Sequence, residues 1–219
     1  MIQAAIFDMD GLMFDTERMW QTFWAPVLSR RGIEYIPEQG LATAGCTGAI
    51  MAAKLREWYG DELDAEQVWV EAQQLAHETF MSSVVPKCTG LDELMAWLGA
   101  HDVPCAVASS SDMALITHHL DAHGMRDQFA ALVTGAEVKN SKPAPDVFLI
   151  AAEKVGADPA HTLVLEDSFN GVRAGAAGGF ITVMVPSVIP PDDEMRAKAT
   201  VICKDLVEVR DLLEAGKLG

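Results

Sequence analysis

The sequence predicts an α/β protein: a doubly wound, parallel, Rossmann-like sheet core interrupted by an inserted all-helical cap. Three observations carry this expectation. Short apolar runs recur along the chain, helical patterns alternate with most of them, and one connection is far longer than a crossover requires.

The apolar runs fall at residues 2–7, 103–108, 131–134, 162–165 and 181–185. Each is short and almost free of polar residues, the pattern of strands covered on both faces of a parallel sheet. Helical periodicity follows the second run at 113–122, the third at 145–155 and the fourth at 170–177. Gly178 and Gly179 punctuate the end of that last helix, where a left-handed backbone is often needed. A closing helix is expected at 205–213. Between the first and second runs stand residues 8–102, whereas a parallel crossover needs only about a dozen residues. One helix, at 91–99, suffices for that crossover. Helical signals at 17–31, 47–59 and 64–84 fill the remainder, so residues 15–86 are expected to form the cap and residues 1–14 with 87–219 the core. Trp58 and Trp69 are expected in the core of the cap.

Composition narrows the function. Half of the 219 residues are hydrophobic and 22% are charged, a globular balance. A formal charge of −16 disfavours nucleic acid or an anionic membrane as partner, since both need a basic face. Four scattered cysteines form no metal-like pair, and no apolar run approaches the roughly 20 residues of a membrane span. The N-terminus lacks the pattern of a signal peptide. The expectation is a cytoplasmic monomer that binds a small molecule.

In an open α/β sheet, ligands bind beyond the carboxyl ends of the strands. The polar clusters fall there. Asp8-Met9-Asp10-Gly11 follows the first run and Ser109-Ser110-Ser111 the second. Lys142 lies in the loop after the third, and Glu166-Asp167 closes the fourth. If the substrate carries a phosphate, Asp8 can attack its phosphorus as a carboxylate. Asp10, two residues on, can serve as general acid and then general base. Gly11 supplies freedom for the turn. Two carboxylates about 4 Å apart repel by roughly 4 kcal/mol at an effective dielectric near 20, so such a cluster should protonate or bind a cation. Hard oxygen ligands facing a phosphate favour Mg²⁺. Ser109 and Ser110 are candidates to hold the phosphate, with Lys142 as the local positive charge. One of Ser109, Ser110, Ser111 or Asp112 is also expected to cap the following helix.

FDMDGLMFDTE, VASSS, NSKPAPDVF and LVLEDSFNG resemble, in order and spacing, the four motifs of the haloacid dehalogenase superfamily of aspartate-nucleophile phosphotransferases. The resemblance covers nearly the whole chain, and the helical insert is similar to the cap of the superfamily's first subclass. It implies a phosphatase acting on a small phosphorylated metabolite, a sugar phosphate or a nucleotide-like one, through a phospho-Asp8 intermediate. It also implies Asp8, the backbone carbonyl of Asp10, and Asp167 as direct Mg²⁺ ligands, with Glu166 assisting. Glu17, Arg18, Trp20 and Thr47 are the candidate cap contacts. The rival reading is a mutase similar to β-phosphoglucomutase. Trp20 stands where that family has a histidine and Gly48 where it has an arginine, which disfavours isomerisation. Survival of Asp10, Glu166 and Asp167 disfavours metal-free dehalogenation. A reading of another class, a phosphorylatable receiver module, places its nucleophile after the third strand and lacks the insert.

Overall fold

A computed structural model of the chain describes residues 2–41 and 48–218. The first strand, β1 (Ala4–Phe7), is buried throughout. Four helices follow it among the described residues: α1 (Thr16–Ser29), α2 (Pro37–Leu41), α3 (Gly48–Tyr59) and α4 (Ala65–Ser82). The chain then alternates through α5 (Leu91–Ala100), β2 (Cys105–Ser109), α6 (Met113–Ala122), β3 (Ala131–Thr134), α7 (Asp146–Val155), β4 (Thr162–Glu166), α8 (Phe169–Ala177) and β5 (Ile181–Met184). It closes with α9 (Asp193–Lys198), β6 (Val201–Ile202) and α10 (Leu206–Glu214).

Among the described residues the sheet has six strands in the order β3-β2-β1-β4-β5-β6, each neighbouring pair parallel. This is the expected doubly wound core. The chain builds outward from β1 to β3, then crosses back to lay β4 on the other side of β1. That reversal leaves a crevice beyond the carboxyl ends of β1 and β4, where such sheets bind ligands. Burial on both faces explains the unbroken apolar runs. Ile6, Ala106, Ala108, Val133 and Val164 meet α7 and α8 through Val147, Phe148, Ala151 and Ala174. On β1 and β2, Phe7 and Val107 alternate with these and are also buried, Phe7 edge-on to Phe129.

Compact contacts divide the chain between Asp15 and Thr16 and between Ser83 and Val84. The segment Thr16–Ser83 contains α1 to α4 and has its own core, in which Trp24, Val27 and Leu28 pack with Met51, Leu55, Val68 and Ala72. Trp69 stacks on Trp20 at 5.6 Å and packs on this core. Trp58 departs from its expected place: it is half-buried, with the Lys54 ammonium 5.5 Å from its ring centre. It lies on α3 beside a lysine ammonium, whereas Trp20, Trp24 and Trp69 meet one another between α1 and α4.

Within the helical unit, Arg31 donates to both carboxylate oxygens of Glu71, at 2.9 and 2.6 Å. These bonds hold the Glu71 carboxyl at about 2, below its ordinary 4.5. A depressed carboxyl pKa stabilises the fold above the unfolded value, and that stabilisation is lost as pH falls from about 4.5 through about 2. Glu71→Gln should therefore lower the melting temperature modestly at neutral pH, with the difference from wild type shrinking across that acid range. A difference that does not change with pH would contradict this assignment.

Three elements were not expected from sequence, the five-residue helix α2 among them. β6 is only two residues long and half-buried, too short for a hydrophobic pattern. α9 is a six-residue helix started by Asp192, whose side chain accepts from the Met195 N–H. The second strand also begins later than expected, at Cys105: Val103 closes the α5 end through a bond to the Leu98 carbonyl, and Pro104 has no N–H to donate.

Candidate active site

Strand register brings the first groups together. Phe7 pairs with Leu165 on one side and Val107 on the other, so Asp8, Glu166 and Ala108 lie level at the ends of β1, β4 and β2. The Asp8 N–H continues the ladder to the Leu165 carbonyl at 3.0 Å. Directly afterwards the chain turns tightly. Met13 and Phe14 both donate to the Met9 carbonyl, and Gly11 takes φ +79°, a left-handed backbone that a side chain would strain.

Lys142 binds this row of groups. Its ammonium donates to Asp8 Oδ1, to Glu166 Oε1 at 2.7 Å and to the Ala108 carbonyl at 3.2 Å. The same nitrogen lies 4.6 Å from the centre of the Phe148 ring. All three donors are used, and three strands are tied at their ends. Burial lowers the Lys142 pKa, but Asp8 and Glu166 beside it outweigh burial and hold it above its ordinary value. It stays charged. Burial is also the largest influence on Asp8; it raises the carboxyl pKa, Lys142 opposes it, and Glu166 and Asp10 add to it, leaving the net well above the usual range. A cation held beside Asp8 would bring it back down.

Such a cation has a fitting donor set. Asp8, Glu166 and Asp167 are all buried, and each offers a carboxylate oxygen within 4.8 Å of the others. Asp167 also accepts from Ser187 Oγ at 2.6 Å. Glu166 is held on both of its oxygens. Besides Lys142 it accepts two bonds at 2.9 Å from Ser168, one from its N–H and one from its hydroxyl. The Asp10 side chain turns instead toward the end of β2, accepting from Ser111 Oγ at 2.7 Å and Ser109 Oγ at 3.3 Å.

Ser109 is buried, and its hydroxyl also accepts from the Ser111 N–H at 3.0 Å. Ser110 is exposed. The helix cap falls to Asp112, which accepts from the Leu115 N–H, so neither candidate phosphate serine is spent on capping α6. Of the cap candidates, Glu17, Arg18 and Trp20 lie at the start of α1, with Trp20 half-buried against the other tryptophans of the helical unit. Thr47 lies outside the described residues. His119 is fully buried against Phe14.

Three residues around the site were not singled out by sequence, Ser168, Ser187 and Gly171, and Ser111 was named there only within the serine run and as a possible helix cap. Serines in turns are ordinary, and a glycine early in a helix reads as a weak helix position. Only their contacts with Asp10, Glu166 and Asp167 give them meaning.

The family model for haloacid dehalogenase-like hydrolases matches residues 5–185. The chain is similar to fructose-1-phosphate phosphatase YqaB of Escherichia coli (strain K12), 33% identical over 180 residues that cover 82% of this chain and 94% of that protein. It is similar to hexitol phosphatase B of the same organism, 31% identical over 220 residues and 97% of each chain. Among solved structures, a hydrolase of this family from Deinococcus radiodurans R1, with bound phosphate and sodium, superposes with a TM-score of 0.80 at 26% identity, covering 99% of this chain and 97% of that one.

Proposed function

The chain belongs to the haloacid dehalogenase-like hydrolase family, and from that premise we propose a phosphatase that releases phosphate from a sugar or sugar-alcohol monoester through phospho-Asp8. One observation carries the chemistry: a buried lysine bridges the carboxylates of Asp8 and Glu166 at adjoining strand ends, with Asp167 alongside. Phosphoryl transfer requires an in-line nucleophile and compensation of charge on the phosphate oxygens. This arrangement offers both, in a chain whose overall charge is −16.

In the first step Asp8 attacks phosphorus, and the bond to the sugar oxygen breaks. Asp10 gives its proton to that departing oxygen. In the second step Asp10, now a carboxylate, takes a proton from water as the water oxygen attacks the phosphoryl group. The acyl–phosphate bond breaks, and inorganic phosphate leaves with Asp8 restored. The Lys142 charge offsets that of the phosphate oxygens, the ammonium exchanging its bond to the Ala108 carbonyl for one of them, and the Ser109 hydroxyl holds another, with the exposed Ser110 at the rim. Mg²⁺, held by Asp8, the Asp10 carbonyl and Asp167, would supply further charge compensation. The named activities of the two relatives support sugar and sugar-alcohol phosphates as the substrate class. We place the enzyme in the cytoplasm as a monomer.

The test is a panel of phosphorylated sugars, sugar alcohols and nucleotides assayed for phosphate release, with an isomerisation assay on β-glucose 1-phosphate. Release from sugar or sugar-alcohol phosphates without isomerisation is expected; isomerisation, or no turnover on any member, would contradict the proposal. EDTA should silence the enzyme, and added Mg²⁺ should restore it; an undiminished rate in chelator would remove the metal. Asp10→Asn should slow steady-state turnover by about 10²–10⁴-fold, the usual contribution of positioned acid–base catalysis. Near-normal rates in that variant would exclude Asp10 from proton transfer.

A further inference from the structure

We infer that Gly171, which bears no functional group, is a positioning residue for the catalytic lysine, because its missing side chain is the space the Glu166 carboxylate occupies. The inference rests on the proposed role of Lys142 and deepens it. A Cβ built on Gly171 would lie 1.7 Å from Glu166 Oε1, 1.8 Å from its Cδ and 2.2 Å from Oε2. These atoms are the end of a side chain, but an end that is already held. Glu166 is fully buried, and its two oxygens already take hydrogen bonds from Lys142 and Ser168.

Ser168 joins the glycine to this arrangement. Its hydroxyl donates to Glu166 Oε2 at 2.9 Å and accepts from the Gly171 N–H at 3.0 Å, where it caps α8. The first turn of α8 is therefore a cradle: the cap at Ser168 holds one side of the carboxylate, and bare backbone at Gly171 holds the other. Lys142 is set by what the cradle holds, since Glu166 fixes the ammonium that also reaches Asp8. Helix propensity alone favours alanine over glycine inside a helix. Space for the carboxylate accounts for glycine here.

The experiment is a double-mutant cycle of G171A, E166A and E166A/G171A, read by p-nitrophenyl phosphate turnover and thermal melting. In the wild-type background G171A should lower kcat by about a hundredfold, the scale of a misplaced catalytic group, and lower Tm. In the E166A background the same substitution meets no carboxylate. It should leave the residual rate unchanged and raise Tm, reversing its sign. Wild-type rate and Tm in G171A, or the same loss of Tm in both backgrounds, would overturn the inference. A G171A protein that fails to fold supports it only if E166A/G171A folds, and overturns it otherwise. Retained turnover in D8N would defeat the phosphatase mechanism itself, whereas an inactive D8N beside an unaffected G171A would defeat the cradle alone.

Discussion

Asp8→Asn should abolish turnover while leaving the protein folded. The amide keeps the shape of the side chain but cannot attack phosphorus, and losing a covalent nucleophile costs other enzymes far more than a thousandfold. We expect a fall of at least about 10³-fold in kcat on any substrate that wild type hydrolyses. The fold should survive because Lys142 keeps its bonds to Glu166 and the Ala108 carbonyl. Burial already disfavours the charged form of Asp8, so a neutral side chain there relieves one desolvated carboxylate. Circular dichroism and melting would check folding. Activity within tenfold of wild type would remove covalent catalysis from this residue.

Lys142→Ala should damage both activity and stability. The ammonium is the shared partner of Asp8 and Glu166, and without it buried carboxylates face one another uncompensated. Breaking a buried ion pair by removing one partner typically costs about 3–5 kcal/mol. At this chain length that corresponds to a fall in Tm on the order of 10 °C. The pH dependence has a definite sign. Asp8 is raised above its unfolded value even with the lysine present, so the native state of the variant binds more protons than the unfolded chain. Its stability should fall as pH rises from the unfolded carboxylate range through the raised Asp8 value. Loss of activity with an unchanged Tm would mean that the lysine acts on substrate without holding the carboxylates.

The core was legible because parallel strands covered on both faces leave unbroken apolar runs, as at Ala4–Phe7 and Thr162–Glu166. The half-buried pair Val201–Ile202 at the sheet edge leaves no such trace. The same strand-end logic pointed to Asp8, Ser109, Lys142, Glu166 and Asp167, since each follows or ends an apolar run or lies in the loop after one. It could not reach Ser187, whose hydroxyl meets Asp167 from the loop after β5, and it placed Ser111 at a strand end without revealing its bond to Asp10. Gly171 was invisible for a deeper reason. Its contribution is the absence of atoms, and only the carboxylate placed beside it reveals that space. Trp58 shows the reverse failure, an aromatic residue whose expected burial depended on a helix face that the sequence pattern did not specify.

The most direct measurement is chemical capture of the phosphorylated residue. Enzyme quenched during turnover and treated with borohydride should carry homoserine at residue 8, since reduction converts an acyl phosphate to an alcohol and spares a free carboxylate. The modified peptide should be absent without substrate. Turnover with residue 8 recovered only as aspartate, or with the label on another side chain, would contradict nucleophilic attack by Asp8.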